Sequence, residues 1–345
     1  MSFTAKVKVI SKILKNFRGL WGGERLADLT YGIQLVLLLK NLGVLEYLET
    51  PRRVEEVAEF LGGVKRLDIL KDTLTVCAGL KVLVEDGGAY RTNWPAVEEI
   101  LAKRSMPACR DLEPSYKACE TYLPGEVLKV LRGDVKEFIS PEVASIYYWQ
   151  TQTELYRLGR EMLLELGGGK RLKGKKIFDL GCGFGVEPVI ILEYLDFNCQ
   201  LVAADFFDNV LDECMNRLVN FQGKMIPLKE LENVDFLLLD PSMKEPFGME
   251  DESVDAVFSF QFLHWTHHPR EVIAESARIL KPGGIVMTST PFRKKKVLTS
   301  FDVMLALMGG NRTYTRRELI DFFSSAGLKN IKTFISAFIL AEKPS

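Results

Sequence analysis

Three glycines alternate in a loop that directly follows an acidic residue, Asp179. Gly181, Gly183 and Gly185 let the backbone turn sharply and let a ligand approach the main chain closely. A helix is predicted to begin soon after the loop, so its unpaired N–H groups would point at that ligand. Because Val186 follows Gly185, the spacing is G-x-G-x-G and not the G-x-G-x-x-G of a dinucleotide site.

Acidic residues also close the next two apolar segments. Asp205 ends the second segment, where a carboxylate can accept both hydroxyls of a ribose, and Asp240 with Pro241 ends the third. Three acids at successive segment ends, with Asp179 the first, suit a neutral or cationic nucleoside and would repel a pyrophosphate. The structural alternatives are a helix cap at Asp205 and a turn at Asp240-Pro241.

The histidines of the chain fall close together, at His264, His267 and His268. A neutral imidazole, with a pKa near ~6.5, suits the removal of a proton from a hydroxyl group, and His264 is predicted to end the fourth strand. Spacings of three and four residues would align histidines on a helix, as zinc sites use. Pro269 follows at once, however, and no acid comes before Glu271, so we predict no metal site.

From Lys175 onward, short apolar segments alternate with helical ones. This alternation is typical of an α/β fold, in which helices cover both faces of a parallel sheet. Such sheets bind ligands beyond the carboxyl ends of their strands, which is where the acids and His264 stand. The predicted strands have the sequences KIFDL, QLVAAD, VDFLLLD, VDAVFSF and GIVMTS.

The first third of the chain has the order of a winged helix, which is helices followed by a hairpin. Apolar residues at helical spacing predict helices over 24–42, 54–61 and 65–78, and two short strands flank the turn EDGG. Residues 94–170 are mostly helical in pattern. We therefore expect a helical, winged-helix dimerisation domain over 1–110, a helical connector to the substrate pocket over 111–170, and a sheet domain over 171–345.

Charge argues against the DNA-binding use of a winged helix. Residues 51–93 hold seven Lys or Arg and seven Asp or Glu, while the whole chain has 45 and 46, a net charge of −1. A neutral module lacks a phosphate-binding face, so we predict that it packs or dimerises and that nucleic acid is not a partner. The mix of 47% hydrophobic and 26% charged residues is that of a globular protein.

The sequence also bears on location. No apolar run near the start approaches the roughly 18 residues of a membrane-spanning helix, and we expect no secretory signal. The six cysteines form no CxxC pair and are expected as small buried residues in a reducing cytoplasm. Basic and apolar residues interleave over 1–21, which predicts either an arm on a dimer partner or a helix in peripheral contact with a membrane.

Five segments resemble, in order, the successive motifs of class I S-adenosylmethionine-dependent methyltransferases. They are DLGCGFG, AAD, LLLDP, VDAVFSFQFLH and LKPGG, within 175–289. The tail over 301–332 resembles the lid, helix and sixth strand of small-molecule O-methyltransferases, which carry a winged-helix dimerisation domain in front. The resemblance implies a homodimer, and over 171–345 a seven-stranded, mostly parallel Rossmann-like sheet that binds S-adenosyl-L-methionine.

The resemblance also assigns residues to the cofactor. Asp179 and the backbone of the glycine loop would hold its methionine end, Asp205 would hold its ribose hydroxyls, and Asp240 would lie beside its adenine. Phe260 stands where the family has a polar residue. The predicted cofactor-binding residues are Asp179, Gly181, Gly183, Gly185, Asp205, Phe206, Asp240, Pro241 and Phe260.

For the acceptor, the resemblance implies a general base at His264, which stands directly before Trp265. The acids that orient this histidine in the family are replaced here, by residues 288–290 and by Asn311, so a role in shaping the pocket stays open beside that of a base. The predicted substrate-binding residues are Tyr148, Trp149, Phe262, Trp265, Met304 and Met308.

These features predict methyl transfer to a hydroxyl of a small apolar or aromatic acceptor. The alternative within the class is transfer to carbon, on a quinone, tetrapyrrole or isoprenoid-type acceptor. From other classes, the alternatives are a DNA-binding regulator with a nucleoside-sensing domain, which the neutral charge of residues 51–93 opposes, and a catalytically inactive scaffold subunit.

Overall fold

The computed structural model describes residues 28–134, 152, 154–293, 298–334 and 337–345. These residues form two compact units. The described residues of the sheet unit lie within 154–294 and 313–345, and those of the helical unit lie within 18–153 and 295–312. The basic stretch predicted over 1–21 lies outside the described residues, as do Tyr148 and Trp149.

Helices and short strands alternate along both units. The helices are α1 (28–41), α2 (Val44–Tyr47), α3 (Val54–Phe60), α4 (Leu67–Gly79), α5 (Trp94–Ala102), α6 (Glu113–Glu120), α7 (Leu123–Arg132), α8 (Glu154–Leu166), α9 (Val186–Tyr194), α10 (Asp208–Asn216), α11 (Pro269–Ile279), α12 (Ser300–Leu307) and α13 (Arg316–Ser325). The strands are β1 (Arg52–Arg53), β2 (Leu83–Asp86), β3 (Ala89–Thr92), β4 (Lys176–Leu180), β5 (Gln200–Asp205), β6 (Leu218–Phe221), β7 (Lys224–Pro227), β8 (Val234–Leu238), β9 (Val254–Phe260), β10 (Leu280–Ser289), β11 (Lys329–Phe334) and β12 (Phe338–Glu342).

A seven-stranded, mostly parallel sheet is the framework of the sheet unit, as predicted. Its strand order is β11-β12-β10-β9-β4-β5-β8. β4 pairs in parallel with β5 and with β9, while β12 runs antiparallel between β10 and β11. Since β5 flanks β4 on one side and β9 flanks it on the other, the strand order reverses at β4. The crevice at the carboxyl end of β4 is therefore where a sheet of this kind binds a ligand.

Burial explains why β4, β5 and β9 lie inside the sheet. Nearly every residue of the three strands is buried, which is the pattern of strands that are covered on both faces. α8 supplies part of this cover, because it packs against α9 and β10. The loops that follow β4, β5 and β9 are thus held on a close-packed base.

Some strand bounds differ from the predicted ones. β8 ends at Leu238, two residues before Asp240, because the chain turns there into a loop that the Asp240 carboxylate caps. β9 ends at Phe260, so the prediction that His264 ends the fourth strand is wrong; His264 lies in the turn that follows. β10 begins at Leu280, earlier than the predicted GIVMTS, because a register shift against β9 accommodates the intervening residues.

The helical unit contains the predicted series of three helices and a hairpin. α1, α3 and α4 overlap the predicted helices, and β2 and β3 form the hairpin around Gly87 and Gly88. β1, which the sequence did not predict, pairs antiparallel with β3. α4 buries Leu70, Leu74 and Cys77 at helical spacing and packs against α12.

All six cysteines are buried, and none is bonded to another. Over the ranges that the structure describes, no helix has the length and apolar character needed to cross a membrane.

Candidate active site

The loop after β4 is bent back onto β5. The N–H groups of Gly181 and Cys182 both donate to the carbonyl oxygen of Ala204, at 2.8 and 3.0 Å. Gly181 and Gly183 have φ angles of 78° and 52°, in the left-handed region that favours glycine. The alternating glycines therefore allow the sharp turn that the sequence predicts.

The loop glycines differ in what a side chain would meet. A Cβ added to Gly181 would lie 2.8 Å from the Phe262 ring, whereas a Cβ added to Gly183 would have nothing within 4 Å. Gly185 precedes α9 and lies against Cys214, whose Cα would be 3.2 Å from such a Cβ. Gly181 and Gly185 thus permit close packing, while Gly183 faces open space where a ligand can approach the backbone.

Asp205 ties the loop to the end of β5. Its Oδ2 accepts the N–H of Gly183 at 2.8 Å, and its Oδ1 accepts the N–H groups of Phe206 and Phe207 at 2.7 and 3.2 Å. Burial raises the pKa of Asp205 to about 6, although the three N–H donors oppose that rise. Asp205 therefore caps the backbone of two loops and is not the helix cap of the structural alternative, because α10 begins at Asp208 with Phe207 as its N-cap and without a side-chain cap. It stands beside the open face of Gly183.

Asp179 is buried within β4 and is not capped in this way. Within the described parts of the chain, neither of its carboxylate oxygens has a hydrogen-bond partner. Burial raises its pKa well above the ordinary value, and the neighbouring Glu187 and Cys214 raise it further. A buried carboxylate without a partner is costly, so its position favours a ligand that donates hydrogen bonds and carries positive charge.

The Asp240 carboxylate stabilises the loop in which it lies. Its oxygens accept hydrogen bonds from the N–H and hydroxyl of Ser242 and from the N–H groups of Lys244 and Glu245. These bonds, with those of Ser242 the strongest cause, lower the pKa of Asp240 to about 2. The carboxylate is thus ionised, and it fixes the turn that begins at Pro241.

Aromatic rings border the same end of the sheet. The rings of Phe206 and Phe262 are parallel to within 2°, with centroids 5.2 Å apart. Phe260, at the end of β9, is buried and has the ring of Tyr156 at its edge, at 6.2 Å. Trp265 is also buried in the sheet unit. Met304 and Met308 are buried in the helical unit, on α12 and directly after it.

A buried ion pair that the sequence patterns did not predict lies beside these rings. Arg160 on α8 is fully buried and pairs with Glu187, the second residue of α9. A signal was present, because three of the residues one turn away on α8, Tyr156, Leu163 and Leu164, are aromatic or aliphatic. A charged residue within such an apolar stripe indicates a buried partner.

His264 is fully buried in the turn after β9. Its Nδ1 lies 3.1 Å from the hydroxyl oxygen of Thr290, at the position where the resemblance leads one to expect a carboxylate. Burial lowers the pKa of His264 to about 3, so the imidazole is neutral at physiological pH. His267 and His268 follow in the same loop. No group of three His, Cys, Asp or Glu suited to a metal ion occurs in the described ranges.

Comparisons with known proteins point to one kind of chemistry. Residues 178–288 match the family model of a methyltransferase domain. An uncharacterised chloroplastic methyltransferase of Arabidopsis thaliana is 26% identical over 268 residues, which are 69% of this chain and 70% of that protein. A ubiquinone biosynthesis O-methyltransferase of Cupriavidus pinatubonensis is 26% identical over 234 residues, 59% of this chain and 84% of that protein. The crystal structure of the DszA carbon methyltransferase has a TM-score of 0.67 at 15% identity, covering 99% of this chain and 94% of that one.

The sheet order, the glycine loop after β4 and these matches together define the class of the protein. It is an S-adenosylmethionine-dependent methyltransferase, with its methyltransferase domain matched over residues 178–288. It is therefore an enzyme, and S-adenosyl-L-methionine is its cofactor.

A methyl group added at Gly181 should mainly affect stability, whereas one added at Gly183 should mainly affect cofactor binding. We expect Gly181→Ala to lower the free energy of unfolding by about 2–3 kcal/mol, because it combines backbone strain with a clash against Phe262. Gly183→Ala should cost only about 1 kcal/mol, since its added methyl meets no protein atom. Gly183→Ala should instead weaken cofactor binding more than tenfold, in the manner of a blocked backbone contact. Chemical denaturation and calorimetry check the pair, and equal stability losses would contradict this assignment of faces.

The burial of His264 predicts a pH profile. Because the pKa of His264 is lowered to about 3, the group stays neutral above pH ~5 and should add no acid limb near its ordinary value. We expect His264→Gln to lower kcat roughly tenfold while it leaves the profile unchanged between about pH 5.5 and 8, with unchanged cofactor affinity. A wild-type acid limb near pH ~6.5 that disappears in His264→Gln would contradict the neutral assignment.

Proposed function

We propose that the enzyme transfers the methyl group of S-adenosylmethionine to a hydroxyl of a small apolar or aromatic acceptor. The cofactor carries ammonium and sulfonium cations and supplies an activated methyl group when bound. The observation that carries the cofactor's placement is the buried Asp179, whose carboxylate lacks a partner among the described residues beside a loop with open space at Gly183. That combination fits a cationic ligand held partly by backbone.

We assign the cofactor's parts to this chain as follows. Asp179 accepts the ammonium group, and the backbone of Gly181, Gly183 and Gly185 holds the rest of the methionine end. Asp205 accepts a ribose hydroxyl. This is supported by the lone-pair capacity of a carboxylate, about four sites, of which three N–H donors use three.

The adenine belongs, in this proposal, beside Phe206 and the loop that begins at Asp240-Pro241. Phe206 follows the ribose-binding acid directly and offers a flat apolar face. Asp240 contributes by fixing the loop, because its own oxygens already accept hydrogen bonds from Ser242, Lys244 and Glu245. Phe260 takes the place of the polar adenine contact of the family, and it lies in contact with α8.

His264 faces the acceptor in this account. Its partner at Nδ1 is the Thr290 hydroxyl, which cannot stabilise an imidazolium as a carboxylate would. The burial that lowers its pKa to about 3 makes it a weak base. The acceptors that fit are therefore those whose proton is already acidic, such as a phenol, a hydroxyquinone or an enol. Phe262 and Trp265 are the apolar residues of the sheet unit that we assign to the acceptor.

A carbon acceptor is the second candidate, and the weak base favours it. A carbon next to a carbonyl can be methylated through its enol form, whose acidity resembles that of a phenol. The DszA carbon methyltransferase shares the fold over nearly the whole chain. Quinones, tetrapyrroles and isoprenoids are the carbon acceptors that we would test.

We further propose that the helical unit is a winged-helix dimerisation module. The three helices and the β1-β3-β2 sheet support the winged-helix assignment. The balanced charge of residues 51–93 supports a protein partner over nucleic acid, and we place the homodimer in the cytoplasm. Residues 1–21 would be the dimer arm or a peripheral membrane contact.

The methyl acceptor atom can be read directly from the product. We expect carbon-13-labelled S-adenosylmethionine to give a methoxy signal by NMR with acidic phenols or hydroxyquinones, and His264→Gln to slow the formation of that signal without changing its position. A C-methyl signal would replace the hydroxyl proposal by the carbon one. No labelled product with phenols, hydroxyquinones, tetrapyrroles or isoprenoids, together with tight cofactor binding, would contradict both and favour the inactive scaffold.

A further inference from the structure

The buried ion pair lies directly behind the glycine loop. The Nε and a terminal nitrogen of Arg160 lie 2.7 and 2.6 Å from Oε1 of Glu187, and Glu187 stands in the first turn of α9. The guanidinium also lies over the ring of Phe260, 4.7 Å from its centroid. Gly159 permits this contact, because a Cβ there would come within 3.1 Å of the same ring. Arg160 thus touches both the loop helix and the end of β9.

Acidic groups outnumber basic ones around Asp179. Glu187 raises the pKa of Asp179 and Arg160 opposes that rise, while burial is the largest cause. The groups that act on Asp179 or respond to it are Glu187 on α9, Cys214 on α10, Arg160 on α8, Asp205 on β5 and Cys182 in the loop. Arg160 is the cation of this described set, so its pairing with Glu187 sets how much negative charge surrounds Asp179.

The three carboxylates differ in what they already hold. Asp205 is shared by three backbone N–H groups, and Glu187 is engaged by Arg160. Asp179 is left as the acceptor without a partner in the described ranges. An ammonium group needs a carboxylate that is both ionised and unshared, and two like charges buried near each other cannot both ionise readily.

We propose that Arg160 is a positioning residue for the cofactor: by neutralising Glu187, it leaves Asp179 as the anionic acceptor for the cofactor's ammonium group. The inference rests on the proposed role of Asp179. Arg160 acts here through Glu187 and does not touch the reacting atoms. The role differs from that of a stabilising ion pair, because a buried pair can often be replaced by apolar residues without loss of stability.

Binding by the full-length protein tests the proposal without turnover. S-adenosylhomocysteine carries the same ammonium group as the cofactor, while 5′-methylthioadenosine shares the nucleoside and lacks the amino acid. We expect Arg160→Met to weaken S-adenosylhomocysteine binding roughly tenfold at pH 7, with 5′-methylthioadenosine affinity within about twofold of wild type. Arg160→Gln, which can keep a hydrogen bond without the charge, replaces Arg160→Met if the latter does not fold.

Two rescue variants separate charge from structure. Arg160→Lys keeps the charge and should bind S-adenosylhomocysteine within about threefold of wild type. The double variant R160M/E187M removes both charges and should restore binding to a similar degree, because the competing acid is gone along with its partner. Apo-protein melting temperatures, measured in parallel, show which variants are merely less stable.

Failure of the proposed role of Arg160 and failure of the proposed role of Asp179 give different binding results. Unchanged S-adenosylhomocysteine binding in Arg160→Met, an equal loss for both ligands, or a double variant as weak as Arg160→Met would each overturn the role of Arg160. Asp179→Asn is the matched control and should lose S-adenosylhomocysteine binding while it keeps that of 5′-methylthioadenosine. Wild-type binding of both ligands by Asp179→Asn would instead overturn the proposed role of Asp179 itself.

Discussion

The burial of one carboxylate is the constraint on which the proposed site depends. Asp179 lies inside β4, fully buried, and no described group donates to either of its oxygens. Protein interiors rarely leave such a group unsatisfied, because its desolvation is not repaid by hydrogen bonds. The surrounding features follow from this constraint: a loop that exposes backbone beside Asp179, a second acid that holds the loop in place, and a buried arginine that offsets a third acid.

Environment gives chemically identical carboxylates different tasks in this site. Donors from its own loop lower the pKa of Asp240 to about 2, so that carboxylate remains an ionised turn anchor. Burial raises the pKa of Asp205 to about 6, although three backbone N–H groups donate to it. Burial also raises the pKa of Asp179, to which no described group donates a hydrogen bond. Binding a cation near Asp179 and Asp205 is thus favoured both by attraction and by relief of desolvation.

Much of this arrangement could be predicted from sequence because it is local. The glycine spacing, the acids at segment ends and the alternation of apolar segments fix β4, β5, β9 and the loop, since each depends on residues close in the chain. The turn at Asp240-Pro241 was foreseeable from proline chemistry. The position of His264 was misjudged because β9 ends earlier than its apolar sequence suggests. The apolar neighbours of Arg160 indicate that it is buried with a partner. Which residue that partner is, Glu187, and the pairing of His264 with Thr290 depend on packing between distant segments, which composition and spacing do not encode.

The central claim is that Asp179 receives the positive end of the methyl donor. A crystal structure of the protein with S-adenosylhomocysteine tests it most directly. The account predicts the ammonium nitrogen within hydrogen-bond distance of an Asp179 oxygen, and the ribose at Asp205, with the ligand's chain running over the open face of Gly183. A ligand bound in that cleft with its ammonium directed elsewhere, and Asp179 still without a donor, would contradict the account.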